Sequence, residues 1–484
     1  MDKTKKAPGQ LQVTLVLGLF SLLSGLSGSS TNLAMPQMSV DLGISNSAAT
    51  WIVQIGLITT AILLVMFGHI GDLLSKNLVF IAGGVAFILG SLLTGIAPVF
   101  WLLMIGRVVQ AVGSAMIMAN SMGIVTQYFP SSSRAEALAA ISMFTSVGSI
   151  SGPAFGGLLI TQVSWRWIFL FNVPIGLLIL LFGFRTLPMP KVTRGNLQNI
   201  MQTANWRGQN LFTAGIIFFF LSGYFIQQGT DKLLIGLAVL AVGLIITVYA
   251  FIQDDRAKKP WIEPALLRNP TYMISVSILL LVMLVNAISN ILLPFYLQSY
   301  GKMSPFVSGL IMMLQSVTML VVSPISGYLA DHWDRQKLTI IGLIVLIVSQ
   351  VGYALYPANM NLLLIVIPIV VNGVGIGLFL SPNNALTMDS VDQSVAGVAG
   401  SLNSFARTLG MTIGISMASS LLFLQLPGVA KITPQLGNQF LSAFRNVFWI
   451  ATGLSVLALF IVLYRFLKRT KKPATTAPTS TTTK

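Results

Sequence analysis

Ser27, Ser29, Ser30, Thr31 and Asn32 crowd together inside the first long apolar run of the chain. In hydrocarbon, such groups must bond within their own helix, bond to a neighbour, or line a space that a polar ligand enters. Arg107 and Arg407 are embedded in apolar runs too, and Gln110 follows Arg107 by one helical turn. A guanidinium at that depth is costly unless paired, so it marks function by default. The 12 acidic residues are Asp2, Asp41, Asp72, Glu136, Asp231, Asp254, Asp255, Glu263, Asp331, Asp334, Asp389 and Asp392. Each falls in a loop or at the end of an apolar run. The chemistry available at depth is therefore hydrogen bonding by hydroxyls and amides plus the pull of two cations. That suits a neutral or anionic guest, and Asp41, at the outer end of the first run, is the remaining candidate proton site.

Catalytic chemistry is poorly supplied. There are no cysteines, which excludes disulfides, thiol nucleophiles and thiolate metal sites. The two histidines, His69 and His332, are too far apart in sequence for an HExxH-type metal pair. No GxxxxGK[ST] nucleotide loop is present. The chain is expected to be neither an enzyme nor a nucleotide-driven pump, with no metal and no cofactor.

The elements that hold these residues are membrane helices. Of 484 residues, 55% are hydrophobic and 8% charged, against about 25% charged in a soluble domain. Apolar runs long enough to span a bilayer fall near 12–35, 50–68, 78–97, 99–127, 135–160, 166–187, 209–228, 232–253, 272–298, 305–330, 338–357, 361–387, 395–424 and 445–467. The first run is too long for a signal peptide and ends without a cleavage site, so it reads as a retained span. With the N-terminus cytoplasmic, about 21 of the 28 basic residues lie on the cytoplasmic side. That bias explains the net charge of +16 without nucleic acid. It places both termini in the cytoplasm of a multi-pass plasma-membrane protein. The Thr-rich basic tail, 468–484, is expected to be disordered.

The chain also repeats itself. GHIGDLLSKN (68–77) returns as GYLADHWDRQ (327–336), STNLAMP (30–36) as ISNILLP (288–294), and VGSAMIMAN (112–120) as VGIGLFLSP (374–382). Three collinear echoes imply a duplicated six-span unit. The expected architecture is all-α. It has a cytoplasmic tail 1–11, one bundle over 12–187, linkers and two extra spans over 188–271, and a second bundle over 272–467. Two similar halves around a central path is the plan of a rocking carrier. The path is expected to be lined by Ser27, Ser30, Thr31 and Asn32 from the first half. From the second half come Asn286, Asn290, Phe295, Tyr296 and Gln298, with Asn383 and Asn384 facing them.

Four stretches resemble the major facilitator superfamily, in particular its fourteen-span drug:proton antiporter branch. GSISGPAFGG (148–157) is similar to the antiporter signature, RVVQA (107–111) to R-x-x-Q-G, NLAMP (32–36) to N-V-A-L-P, and GHIGDLLSKN to the loop after span 2. The resemblance implies a role for Arg107 in proton or substrate coupling, with Gln110, Arg407 and Asp41 as further coupling candidates. It implies that Asp72 locks one conformation through helix ends and basic partners. Lys76 and the repeat's Asp331 and Arg335 complete that gate set. Gly148, Gly152, Gly156 and Pro153 read as a helix-packing strip and, compatibly, as a hinge and seal between the halves.

The departures matter as much. Leu73 stands where the family's loop has Arg, and Ser75 where it has Gly. Ser27 stands where many of the branch carry Asp in span 1. The leading expectation is a secondary transporter that exports small amphipathic organic compounds by alternating access, with a proton gradient as the driving force. The alternative is a facilitator or uptake carrier for a neutral or anionic aromatic metabolite, such as a vitamin or aromatic acid, which the missing carboxylate favours. The expected partners are a small-molecule substrate and the bilayer, with the chain a monomer.

Overall fold

The computed structural model describes residues 9–130, 133–189, 206–226, 232–256, 264–391 and 396–470. The expectations for the tails and for most of the linkers in 188–271 fall outside these residues, as do the side chains of Asp72 and Asp331. Among the described residues, fourteen helices are long and apolar enough to cross a membrane. They are α1 Gln10–Asp41, α2 Asn46–Leu73, α3 Lys76–Ile96, α4 Phe100–Tyr128, α5 Arg134–Gln162 and α6 Trp167–Thr186, which turns at Phe171. Then come α7 Trp206–Ile226 and α8 Leu233–Asp255. The rest are α9 Pro270–Tyr300, α10 Pro305–His332, α11 Arg335–Ala354, α12 Leu362–Asp389, α13 Ala396–Leu424 and α14 Gly437–Thr470. Helix is the only open-ended way to satisfy every backbone group in lipid, so the apolar runs fold as helices.

Several helices extend past the apolar run by a turn or more, as α1 does to Asp41 and α14 does at its start. Hydropathy marks the depth of lipid. The backbone ladder continues until a cap or a turn residue stops it. Ser45 caps α2 and Ser75 caps α3, each accepting a backbone N–H of the first turn. Ser304 and Asp334 do the same for α10 and α11. The caps thus fall at matching places in the two halves.

The duplication is legible in the packing. α5 lies on α1, and α13 lies on α9. A Cβ on Gly148 would strike the Leu22 backbone, and one on Gly152 would meet the Leu26 carbonyl at 2.9 Å. A Cβ on Gly410 would strike the Leu280 backbone, and one on Gly414 that of Leu284. The four glycines make the same two close approaches in each half. α3 on α4 matches α11 on α12, and α2 on α4 matches α10 on α12.

The copies diverge at the end of the first helix of each. α1 stays α-helical through Pro36 to Asp41. α9 changes to a π-helix over Phe295–Tyr300, directly after Pro294. The wider winding turns Tyr296 and Tyr300 into an aromatic core with Tyr353, Tyr356, Phe440, Phe444 and Phe448.

α7 and α8 pair with each other, and α7 lies across the seam between the halves. Its Gln209 Nε2 donates to the Ile62 carbonyl of α2 at 3.1 Å. Its Phe212 packs on Phe405 of α13, with ring centroids 5.6 Å apart. The halves themselves meet through α5 on α10 and α2 on α13.

Candidate functional site

The start of α1 and the end of α14 lie on one face of the bundle, the terminal face, because the span count is even. Arg107 sits inside the first half and is 8% exposed. Its Nε donates to the Ile52 carbonyl at 3.0 Å and its Nη1 to Gln110 Oε1 at 2.6 Å. The guanidinium also lies 5.6 Å from the centre of the Phe169 ring. Gly56 makes the room for it, since a Cβ there would stand 2.8 Å from Arg107 Nη2. Gln110 passes the network on, donating to Ser91 Oγ at 2.9 Å and Ser27 Oγ at 3.3 Å. The cation is held by a carbonyl, an amide and a ring face, with no carboxylate among these contacts. That satisfies a buried charge while tying α1, α2, α3 and α4 together.

The second half holds a neutral version of this network. Gln315 Nε2 of α10 donates to Asn286 Oδ1 of α9 at 2.6 Å and to Asn372 Oδ1 of α12 at 2.9 Å. Asn372 Nδ2 donates to Ser349 Oγ of α11 at 3.1 Å. By the repeat register, Asn372 occupies the place of Gln110, and Ser349 that of Gly90, one residue before Ser91. Gln315 stands where Gly56 leaves its gap, and Ile369 where Arg107 would be. Gln315, Asn372, Ser349 and Ser91 were not among the residues expected from sequence. The available signal was an amide in the middle of an apolar run, as in MMLQSV and IVVNGV.

The polar run of α1 is not one stripe. Five neighbouring residues wind around more than a full turn of a helix, so they cannot share a face. Ser27 faces Gln110. Ser30 is buried, and its Oγ donates to the Gly152 carbonyl of α5 at 2.7 Å. Thr31 is buried and bonds back to the Ser27 carbonyl at 2.6 Å. Asn32 is half-buried, with an Oδ1 that no hydrogen bond satisfies among the described residues. Of the α1 set, Asn32 alone keeps an amide available.

The second-half candidates divide likewise. Asn290 is half-buried, its Nδ2 donating to the Asn286 carbonyl at 3.1 Å. Gln298 Nε2 crosses to the Leu33 carbonyl of the first half at 2.9 Å. Tyr296 was expected on the path but is fully buried, its Oη bonded to the Pro357 carbonyl at 2.6 Å. The π-helical winding has turned it into the aromatic core, and Phe295, the first residue of that winding, is fully buried as well. Asn383 is buried too and donates to the Ser275 carbonyl at 3.3 Å. Asn384 accepts from Asn403 Nδ2 at 3.2 Å.

Away from the terminal face, the halves are hydrogen-bonded together. Thr50 Oγ1 and Ser419 Oγ are 3.0 Å apart, and Ser416 Oγ donates to Gln54 Oε1 at 3.1 Å. The Asn46 N–H donates to the Ala430 carbonyl at 3.0 Å. A Cβ on Gly157 would stand 2.6 Å from the Pro305 carbonyl, so that glycine seals α5 against α10. Gly148, Gly152 and Gly156 face α1 instead. On this side a cleft of about 850 Å³ also opens between α2, α4, α7 and α13. Trp51, Trp101 and Tyr224 line it, and none of the expected path residues do.

The gate candidates lie at helix ends on the terminal face. Asp72 is in the last turn of α2 and Asp331 in that of α10. Arg335 forms an ion pair with Asp389 and donates to the Ala330 carbonyl at 3.1 Å. Lys76 lays its stem across Gly123 of α4. Asp41 lies at the opposite face, where Arg166 Nη1 donates to it at 2.5 Å and Trp165 Nε1 at 2.9 Å. Arg407 is exposed within the α13 span.

Against this geometry, the family model described as Major Facilitator Superfamily matches residues 17–415. The riboflavin transporter RibZ of Clostridioides difficile is 26% identical over 460 residues, covering 95% of this chain and 98% of that one. The multidrug export protein EmrB of Haemophilus influenzae is 26% identical over 417 residues, covering 84% and 79%. Among solved structures, the nucleoside transporter NupG aligns with a TM-score of 0.63 at 14% identity, covering 94% of this chain and 99% of its own. A bacterial homologue of the human lysosomal transporter Spinster aligns at 0.65 and 16% identity, covering 97% and 100%.

Proposed function

The chain belongs to the Major Facilitator Superfamily, and from that premise we propose that it is a secondary carrier for small aromatic compounds that are neutral or anionic. It works by alternating access in the cell membrane, with both termini in the cytoplasm. One observation carries the reading. The polar groups inside the two halves are amides, hydroxyls and arginines, whereas the described carboxylates, Asp41, Asp254, Asp334 and Asp389, sit at span ends. A cation deep in a membrane path needs a carboxylate opposite it, and an uncharged or anionic ring compound does not. The riboflavin transporter among the relatives moves a compound of the favoured kind.

A second reading, proton-linked export of amphipathic drugs, is favoured by the glycines of α5 and their close packing on α1. The multidrug proteins among the relatives support it. Flux decides between the two. In vesicles containing the purified protein, the first reading expects saturable uptake of riboflavin or of an aromatic carboxylate. It expects no uptake of a lipophilic cation. In cells, uncoupler-sensitive exclusion of a fluorescent lipophilic cation, with no flux of the ring compounds, would replace the first reading by the second.

A further inference from the structure

Arg107 and Arg407 look alike in sequence, and the structure separates them. Arg107 is buried and held by Ile52, Gln110 and Phe169. Arg407 is exposed, and the described structure gives it no hydrogen bond, ion pair or ring contact. An unpaired guanidinium inside a span is stable only where water or a ligand reaches it.

Its neighbours show where it points. On α13, Phe405 turns to α7, and Gly410 turns to α9. Asn403 turns to Asn384 of α12. A Cβ on Gly400 would stand 3.7 Å from the Met122 methyl of α4, in the other half. Arg407 is two turns on from Gly400 and one turn on from Asn403, so it lies between those two directions. It therefore faces the gap between the halves, not lipid. Ser404 on the same side is exposed too.

We propose that Arg407 is the anchor for the acidic group of an organic anion, with the amides of Asn384 and Asn403 beside it. This deepens the carrier reading and rests on it. Asn384 spends its oxygen on Asn403, and its Nδ2 carries no hydrogen bond among the described residues, which leaves a donor for a ligand. A guanidinium with an adjacent amide donor matches the two oxygens of a carboxylate or phosphate ester. α4, α9 and α13 carry no carboxylate, Asp389 of α12 is paired with Arg335, and α2, which also packs on α13, carries one, Asp72, in its last turn. The body of the ligand meets thioethers. Met122 and Met118, one turn apart on α4, are 40% and 47% exposed on the facing side. Methionine adapts to flat or irregular apolar rings. The ligand class is an amphipathic ring compound with a carboxylate or phosphate.

The test uses the unmodified protein in phosphatidylcholine nanodiscs, where no anionic lipid is present. p-Hydroxyphenylglyoxal, which reacts with guanidinium groups, is added, and the modified arginines are mapped by mass spectrometry. Arg407 is expected to react while Arg107 does not. 2-Naphthoate is expected to slow modification of Arg407 at least tenfold, and 2-naphthylmethylamine to leave it unchanged. In R407K, vesicle uptake of 2-naphthoate should keep its maximum rate with a raised KM, and in R407Q it should be lost. An unreactive Arg407 would overturn the proposal, as would equal protection by the acid and the amine. Protection by phosphatidylglycerol alone would assign the site to a lipid headgroup and overturn it as well. In each of these cases flux of neutral ring compounds would still support the carrier reading, so the two fail separately.

Discussion

The two halves repeat a scaffold and differ in what they bury. Each has the same caps, the same paired glycines between its first and fifth helices, and a polar knot where four helices meet. The first knot is built around a cation, with Arg107 reaching over Gly56. The second is neutral, with Gln315 filling the place of that gap. In the fifth helix of each half the roles reverse. Arg407 of the second half is open, and its counterpart by register in α5 is Thr145, which bonds to its own helix. One half thus uses its arginine for cohesion, and the other presents its arginine to the path. Duplication supplied the frame, and the two halves use these two arginines differently.

The largest effect is expected where the halves must separate. The chain has no native cysteine, so a Thr50→Cys, Ser419→Cys pair can be oxidised without competing thiols. The two hydroxyl oxygens are 3.0 Å apart, so the two side chains meet directly across the seam. Oxidation should stop vesicle flux completely, and a reductant should restore it. Undiminished flux in the oxidised pair would mean that this seam does not open, and the halves would not be the moving bodies.

The next effect probes the cationic knot. Gly56→Leu fills the space that Arg107 Nη2 occupies, so the guanidinium is pushed from its partners while still buried. Stranding a buried charge costs about 3–5 kcal/mol. Denaturant titration in micelles should show a loss of that size, and Gly56→Leu combined with Arg107→Leu should recover part of it. If the double variant is no better than the single one, the loss comes from backbone crowding and not from the charge.

Much of the frame was legible in the sequence because lipid leaves few alternatives. The apolar runs, the basic loops and the repeated G-x-x-x-D segments each constrain the fold directly. Side-chain direction was less legible. In sequence the α1 polar run reads as one lining, yet Ser30 turns to α5 and Thr31 to its own backbone, because neighbours on a helix diverge by a hundred degrees. Tyr296 reads as path-lining from its place near the Asn290 match. The π-helix that turns it inward has no sequence mark beyond Pro294. The contrast between the two arginines was hidden altogether, since it depends on which neighbours happen to supply acceptors.

The neutral knot should respond more mildly. Gln315→Leu removes the donor shared by Asn286 and Asn372 and leaves two acceptors facing an apolar side chain. A buried acceptor without its donor costs about 1–3 kcal/mol, so denaturant titration should show a smaller loss than Gly56→Leu gives. An equal or larger loss would put the cationic and neutral knots on a par and remove the distinction drawn between them.

The smallest effect lies in the aromatic core beside the π-helix. Tyr353 is fully buried, and its Oη has no hydrogen-bond partner among the described residues. Tyr296 and Tyr356 each bond to a carbonyl. Tyr353→Phe removes an unsatisfied hydroxyl and keeps the ring contacts with Tyr356 and Phe448, so stability should be unchanged or raised by up to about 1 kcal/mol. Tyr356→Phe removes a bond of 2.8 Å to the Ile365 carbonyl and should cost about 1 kcal/mol. The sign difference between two neighbouring hydroxyls is the sensitive readout, because the rings are alike and only the acceptor differs. If both variants lose stability equally, Tyr353 has a partner in the folded protein, and the core that sets the second half apart is held by polar bonds as well as by stacking.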